Sequence, residues 1–519
     1  MDNREIELKL RIAPEDVARL QRHPLIRSLS VGRPVTQRLR SVYFDTPKLA
    51  LFSKDVTLRV RRIGRHHVQS VKTGALRQAG LFSRGELENP VKGSAPEIDK
   101  IADPALRELV AGPDIAAKLR PIFDTEIKRT RRRLTDGSDE IGLDIDVGVI
   151  RTARGNAPIC EVELELKAGE PERLFDLART LSRDVPLRLA TASKAARGFA
   201  LYAGEPPAPQ RAVALALDKA MMAEQAMQSV VRACLDHLIA NESAVLDLQH
   251  AEGVHQMRVA LRRLRSAMSL FSPLLPEAAA DELKLGAKWL ADELADARNW
   301  DVFLSEVLGP VAPRFAEHPG MGDLEAAAER ARSDGYRRAR VALSSPQYAE
   351  FLLHAAAWVE KRPWRAMIPT EVLEQPITEF AVAMLERRHR KALRLGRAIG
   401  GQDVEALHRL RIQLKKLRYA SEFFRSLFGR KAAKSFIAHL ADLQTVLGTL
   451  NDVEVARKLI AALLKRSAEE AEGAPLAGER QNAAGLVSGW HVHTADRRAR
   501  RLGSLWRDFK DTDPFWVEA

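Results

Sequence analysis

The chain has 519 residues, with 82 Lys+Arg against 69 Asp+Glu and a net charge of +13. That length exceeds one ordinary core, so two or three domains are expected, and the basic balance points to a polyanionic partner or substrate. Two cysteines, Cys160 and Cys234, give neither a metal spacing nor a disulfide framework, and no apolar run approaches a membrane span. The acidic, amphipathic start is no signal peptide, so a cytoplasmic protein without membrane association is expected.

The chain opens with Glu5-Ile6-Glu7-Leu8-Lys9-Leu10, in which charged and apolar residues alternate at the period of a β-strand. In one half-buried strand the charged face would simply meet water. The same device returns along the next 160 or so residues. Strands are predicted over 39–44 (closed by Asp45-Thr46-Pro47), 56–63 (Arg59, Arg61), 67–73 (Lys72) and 83–91 (Arg84, Glu86, Glu88). Further strands follow over 123–134 (Lys128, Arg129, Arg131, Arg133), 141–150 (Asp144, Asp146) and 159–167 (Glu161, Glu163, Glu165). Helices are predicted after Ala13-Pro14, over 171–182 and from Ser193-Lys194 onward. Residues 1–204 form the first domain, α+β in class, and carry +9 of the net charge.

Residues 205–214 form a proline-rich linker around Pro206-Pro207-Ala208-Pro209. Beyond Ala212, alanine, leucine and arginine dominate and the period becomes helical, so residues 215–513 are read as an all-α bundle. It contains a repeat. His255-Gln256-Met257-Arg258 through Arg262-Arg263-Leu264-Arg265 resembles His408-Arg409-Leu410-Arg411 through Lys415-Lys416-Leu417-Arg418. Asn299-Trp300-Asp301-Val302 is echoed by Asn451-Asp452-Val453, which argues for internal duplication.

Strands that place acids and bases on one face fit a closed antiparallel barrel with a charged lumen and an apolar outside covered by helices. Arg59, Arg61, Lys72, Arg129, Arg131 and Lys194 are suited to phosphate oxygens. Glu5, Glu7, Asp144, Asp146, Glu161 and Glu163 are hard oxygen ligands suited to Mg²⁺ or Mn²⁺. A metal-bound polyanion gives such a mixture a purpose; a dry interior without one would hold it at great cost. There is no Gly-x-x-x-x-Gly-Lys-Ser/Thr loop, which excludes a P-loop enzyme.

The ordered set Glu5-x-Glu7-x-Lys9, Tyr43-Phe44-Asp45-Thr46, Arg59-x-Arg61, Lys72, Asp146-x-Gly148, Cys160-Glu161-x-Glu163-x-Glu165-x-Lys167 and Ser193-Lys194 resembles the CYTH, or triphosphate tunnel metalloenzyme, family. The resemblance implies an eight-stranded antiparallel tunnel with flanking helices and metal-dependent hydrolysis of a triphosphate. On that basis Glu5, Glu7, Asp146, Glu161 and Glu163 share two ions, and Arg59, Arg61, Lys72, Arg129 and Lys194 position substrate. Lys9 is either a general base or a phosphate contact. The run Lys128 to Arg133 holds more positives than the family's pattern needs; Arg129 is taken as the ligand, with Arg131 in reserve.

In the second half, His255, Arg258, Arg262 and Arg265 share one helical stripe, as do His408, Arg411, Lys415 and Arg418. Leucines and a methionine face away from each stripe. One such stripe is an ordinary solvated face; two, each opened by a histidine, resemble the CHAD family. That resemblance implies two four-helix units related by pseudo-symmetry and the binding of inorganic polyphosphate. The stripes lack the aromatic interleaving of single-strand binders, so no specific nucleic acid is expected. The histidines are expected to strengthen polyanion binding as pH falls through about 6 to 7.

The leading expectation is an inorganic triphosphatase that cleaves tripolyphosphate to pyrophosphate and phosphate and carries a polyphosphate-binding helical domain. Adenylate cyclase and thiamine triphosphatase share the same fold and ligands. A non-catalytic polyphosphate binder would have no need of the intact acid set.

Overall fold

The computed structural model describes residues 4–78, 81–190, 192–204, 208–399, 404–470 and 477–517. Side chains at 4–5, 75–78, 81–84, 398, 404, 450–452, 466–470, 477 and 496 lie outside that description, so Glu5 and the Asn451-Asp452 echo carry no side-chain account. The chain divides into two compact units, Met1–Ala208 with Leu343–Arg362, and Pro209–Ala342 with Pro363–Ala519.

The first unit is built on nine antiparallel strands: β1 Arg4–Ile12, β2 Ser30–Asp45, β3 Val56–Ile63, β4 His66–Gln78, β5 Leu81–Val91, β6 Arg120–Asp136, β7 Asp139–Thr152, β8 Gly155–Ala168 and β9 Leu187–Leu189. Their order is β5-β4-β3-β2-β6-β7-β8-β1-β9. Along one edge β1 pairs with β8 over Glu7 to Arg11. Along the other it pairs with β5 over Arg4 to Leu8 and then with β9 over Leu10 to Ile12. The eight long strands therefore form a ring of pairings, and β9 takes over from β5 on the last residues of β1.

Alternation decides which side chains enter the ring. Leu8, Leu10, Leu143, Ile145, Val162 and Leu164 point outward and are fully buried or nearly so. The Glu172–Ser182 helix buries Leu174, Phe175, Ala178 and Leu181 and packs on β1, β8 and β9. A second cluster joins Leu39, Tyr43, Phe123, Ile127 and Ile150 to Phe199 of the Lys194–Ala203 helix. Tyr43 stacks on Phe123 with centroids 4.3 Å apart. A third runs from Leu58, Val60 and Val71 to Val110 of the Pro104–Ala111 helix.

Each strand predicted from the sequence is present, with two differences. β2 starts at Ser30 rather than residue 39, because Gly32 and Pro34 break the pattern where the strand is exposed on both faces. β9 has three residues, too few for periodicity to register. Asp45 is fully buried and accepts backbone hydrogen bonds from Thr46 at 2.6 Å, Leu51 at 2.9 Å and Phe52 at 2.9 Å. Its place in the Tyr43-Phe44-Asp45-Thr46 motif is thus a loop anchor at the end of β2.

The first unit also contains a helix from much later in the chain. Pro346–Lys361 packs on the Glu172–Ser182 helix and β9, with Arg179 to Glu350 at 2.6 Å and Lys361 to Asp176 at 2.5 Å. Ten of its residues, including Tyr348, Phe351 and Trp358, are buried, and its Ser345 N-cap accepts from Tyr348 N at 3.2 Å. The division at a single linker does not anticipate this.

The second unit is helical. Its long elements are Ala223–Ala240, Ala251–Leu270, Glu277–Glu293, Ile377–Leu395, Val404–Phe424, Arg430–Glu470, Ala477–Ala499 and Leu502–Lys510, with Pro319–Leu343 crossing between units. The fold class is therefore as expected, an antiparallel β tunnel with helices and an all-α second part.

Gly148 lies opposite Ile127 in the β6–β7 ladder, and a Cβ there would press on the Glu126 carbonyl oxygen and sit 2.8 Å from the Ile127 Cα. Backbone cannot yield as a side chain can. Gly148→Ala should therefore destabilise the protein by about 1–3 kcal/mol, measured by chemical denaturation. An unchanged midpoint would show that the ladder tolerates the methyl.

Candidate active site and basic stripes

Cross-strand register assembles the tunnel site. Lys9 of β1 faces Glu163 of β8, and Glu7 faces Glu165. Arg129 and Arg131 of β6 face Asp146 and Asp144 of β7, which in turn face Glu161 and Glu163 of β8. On the other wall Arg61 of β3 faces Ser41, Arg59 faces Ser70, and Lys72 of β4 faces Glu86. Lys194 enters at the start of its helix, where Ser193 Oγ accepts from Ala196 N at 3.1 Å.

These side chains enclose a cavity of about 340 Å³. Its lining includes eight bases (Lys9, Arg59, Arg61, Lys72, Arg129, Arg131, Lys167 and Lys194) and six acids (Glu7, Glu86, Glu88, Asp144, Glu163 and Glu165). Asp146 and Glu161 sit deeper, 0% and 2% exposed. With the exception of Glu5, every tunnel residue selected from the sequence lies at or directly behind this cavity.

The acidic wall is neutralised from within. Arg129 reaches Asp144 and Asp146 at 2.6 Å and Glu163 at 2.7 Å. Lys194 reaches Asp146 and Glu163 at 2.9 Å and Glu161 at 3.3 Å. Lys9 pairs with Glu163 and, at 2.8 Å, with Glu7. Burial alone would raise the carboxyl pKa values. Lys194, Lys9 and Arg129 outweigh it and hold Glu163 well below its ordinary range, while Lys194 and Arg129 hold Asp146 below its own. Burial likewise opposes the charge on Lys9 and Lys194, but their carboxylate partners raise both above the usual lysine value.

The second wall is less balanced. Glu86 joins Arg59 at 3.0 Å and Lys72 at 2.8 Å. Arg61 donates to Ser41 Oγ at 3.2 Å, and among the described residues it is the cavity cation without a carboxylate partner. Burial, then Arg59 and Arg129, push its pKa down to about 10. Burial raises the Tyr43 phenol, yet Arg59 and Arg61 bring it below its ordinary value. Sequence reasoning passed over Glu86 as a ligand-wall residue, because its link to two cations needs the β4–β5 register. Arg131, held in reserve, pairs with Asp144 at 2.7 Å and lines the same cavity.

The acids suit a divalent cation by chemistry, since all donors are hard oxygens. Glu161 Oε2 is buried and makes no hydrogen bond; its cation is Lys194, 3.3 Å away. Among the described residues no three acids converge as a cage, because Lys9, Arg129 and Lys194 occupy their oxygens.

In the second unit the two stripe helices, Ala251–Leu270 and Val404–Phe424, pack against each other. Met257, Leu261, Leu264, Leu410, Leu414 and Leu417 are buried beneath them, as the pattern requires. The stripes are unequal in depth. His408 and Arg265 are exposed, whereas His255, Arg258, Arg262, Arg411, Lys415 and Arg418 are half-buried. Arg258 donates to the Ala291 carbonyl, Arg262 lies 3.5 Å from the Tyr419 hydroxyl and Arg418 lies 3.2 Å from Glu422. Burial, then Arg298, Arg262 and Arg258 against Glu252, pull His255 down to about 4. Desolvation beside three guanidinium groups thus holds the free His255 imidazole well below its ordinary range.

A family model for the CYTH domain matches residues 3–199, and one for the CHAD domain matches residues 229–461. The chain joins a CYTH domain to a CHAD domain. An inorganic triphosphatase of Haemophilus influenzae is 30% identical over 198 residues, 38% of this chain and 54% of that protein. The match thus spans about half of that relative's length. An uncharacterized protein of Mycobacterium tuberculosis is 27% identical over 517 residues, covering 92% of this chain and 91% of the relative. The crystal structure of the CHAD domain from the plant Ricinus communis superposes with a TM-score of 0.51 at 30% identity, covering 59% of this chain and 98% of that one. No helix among the described residues is long and apolar enough to cross a membrane.

Lys194 is the test of the CYTH charge network. Lys194→Met leaves Asp146, Glu161 and Glu163 short of a cation and should destabilise the metal-free protein by about 3–5 kcal/mol. Thermal unfolding with and without Mg²⁺ checks this: a divalent ion should restore part of the loss. An unchanged melting temperature would mean that Arg129 and Lys9 suffice.

Proposed function

We propose that the CYTH domain hydrolyses inorganic tripolyphosphate to pyrophosphate and phosphate with Mg²⁺ or Mn²⁺, and that the CHAD domain binds longer polyphosphate. The lining of the tunnel carries the reading. Fourteen of its twenty residues are charged, and its aromatic ring, Tyr43, is already stacked on Phe123. Among the described residues such a cavity offers phosphate contacts and no free platform for a purine or a thiazolium ring, which favours an inorganic substrate over ATP or thiamine triphosphate.

Arg61, desolvated and without a carboxylate, takes up the incoming anion first. Arg59 and Lys72, held apart by Glu86, orient its remaining oxygens. Lys9 acts as a phosphate contact; with Glu163 and Glu7 keeping it charged, it does not accept a proton. Lys194 and Arg129, which neutralise the carboxylates, would turn their charge toward phosphate were a divalent cation held on the acids. Asp146, Glu161, Glu163, Glu7 and Glu5 would hold that cation, which supplies charge neutralisation and an activated water. We place the CYTH domain at 1–204, the linker at 205–214 and the CHAD domain at 215–513. Free Cys160 and Cys234 suit a reducing cytoplasm.

The deciding experiment incubates the protein and Mg²⁺ or Mn²⁺ with tripolyphosphate, ATP or thiamine triphosphate and assays phosphate, pyrophosphate and cyclic AMP. Faster release from tripolyphosphate is expected; cyclic AMP as the main product would overturn the reading. Arg61→Ala should raise KM by roughly tenfold or more, the worth of a charge-assisted contact. Glu161→Gln should lower kcat by at least about a hundredfold, because it weakens cation binding and water activation together. Near wild-type kinetics in both would place the chemistry elsewhere.

Polyphosphate binding should also depend on pH. A bound polyanion raises the His255 pKa above its free value of about 4, so binding takes up a proton. Affinity should rise as pH falls through the bound-state pKa and level off only near pH 4. Titration of the full chain with long-chain polyphosphate across that range measures it. Affinity that levels off above pH 6 would exclude His255.

A further inference from the structure

The CHAD repeat is not symmetric in its charges, and the asymmetry leaves one group of cations without counter-ions. The offset that carries His255 onto His408 also carries Arg263 onto Lys416 and Ser269 onto Glu422. In one half the structure closes this exchange: Arg263 pairs with Glu422 at 2.9 Å and lies 4.8 Å above the Phe423 ring. In the other half the residues at the corresponding positions are Lys416 and Ser269, a hydroxyl in place of the acid.

Arg388 of the Ile377–Leu395 helix points into that position. It is only 7% exposed. Its Nε is buried without a hydrogen-bond partner, and its Nη2 lies 3.5 Å from Ser269 Oγ. Gln413 donates to the Arg388 carbonyl at 3.1 Å and fixes the backbone there. Burial, then Arg387, push Arg388 down to about 10. Burial, then Arg388, Lys391 and Arg265, pull Lys416 below its ordinary value. Among the described residues none of Arg265, Arg388, Lys391 and Lys416 makes an ion pair. The junction itself is rigid: Phe271, Phe380 and Phe424, one at or near an end of each of the three helices, pack with centroids 5.2 to 6.4 Å apart.

A guanidinium buried without an anion is strongly unfavourable. Here the backbone is fixed, the neighbours repel it and the acid that would relieve it is replaced by a hydrogen-bonding hydroxyl. We propose that Arg388, Lys416, Lys391 and Ser269 form a site for one phosphate dianion, either free orthophosphate or the end group of a phosphate chain. The Arg388 fork and the Ser269 hydroxyl give directed hydrogen bonds, and the lysines supply charge. The site borders the stripe residue Arg265, but none of its own four residues belongs to the His255 or His408 stripe, and it stands whether or not those bind long chains.

The test compares the full chain with two variants, Ser269→Glu and Arg388→Met. The first rebuilds the missing acid by analogy with Glu422; the second removes the buried charge. Both should melt no earlier than wild type in phosphate-free buffer and keep wild-type tripolyphosphatase turnover. Melting temperature is then followed against orthophosphate, and separately against tripolyphosphate without metal. Protection of wild type by orthophosphate that both variants lose assigns the site to the free ion. Variant-sensitive protection by tripolyphosphate alone assigns it to a chain end. Protection equal in wild type and both variants, or wild type indifferent to both anions, overturns the proposal; any protection from the tunnel is common to all three. An Arg258→Ala/Arg262→Ala double variant should keep this effect while losing long-chain binding, so failure of the stripes and failure of this site read differently.

Discussion

The tunnel depends on neutralising charge where water is scarce. Arg129 is the clearest case, because one guanidinium meets Asp144, Asp146 and Glu163 and so ties β6 to β7 and β8 inside the ring. Lys9 and Lys194 complete the neutralisation from β1 and from a helix N-terminus. Each of these cations is expensive to desolvate alone, and each acid likewise; together they are tolerable because strand register sets them side by side. The outer face can then present apolar residues such as Leu8, Leu143 and Leu164, which is what lets helices seal it. A cavity built this way has its charges answered by its own side chains.

The helical part solves a different electrostatic problem. Its basic residues lie on amphipathic helices whose apolar faces are fixed by Met257, Leu261, Leu264 and their counterparts, so the positive stripes follow from packing. Duplication would let each half serve the other's surplus charge, as Glu422 does for Arg263. Where the other copy has Ser269, the surplus remains.

Much of this was legible in the chain. Strict alternation at Glu5 to Leu10 and its recurrences announced strands with a charged inner face, because a one-residue slip would bury every charge in the wrong layer. The stripes could be read because 3.6-residue periodicity survives without tertiary knowledge. What stayed hidden needed pairing. Glu86 is unremarkable until β4 and β5 are in register; β9 is too short to leave a period; the low pKa of His255 arises from burial and then from Arg298, more than forty residues away. The motif residue Asp45 shows the reverse limit: its pattern was visible, but only the structure tells that it holds a loop.

The Pro346–Lys361 helix has a consequence for how the two parts can be separated. It is counted with the tunnel although the chain reaches it only after half of the CHAD domain has been traced. A protease that cuts the proline-rich linker would therefore not free the tunnel, because the downstream fragment still owns a helix seated on Glu172–Ser182 by Arg179–Glu350 and Lys361–Asp176. A fragment starting at the linker would expose Tyr348, Phe351 and Trp358 to water and invite association between copies. In genetic terms the helical half is not a portable cassette: recombination at the linker would strand one helix from its seat on Glu172–Ser182.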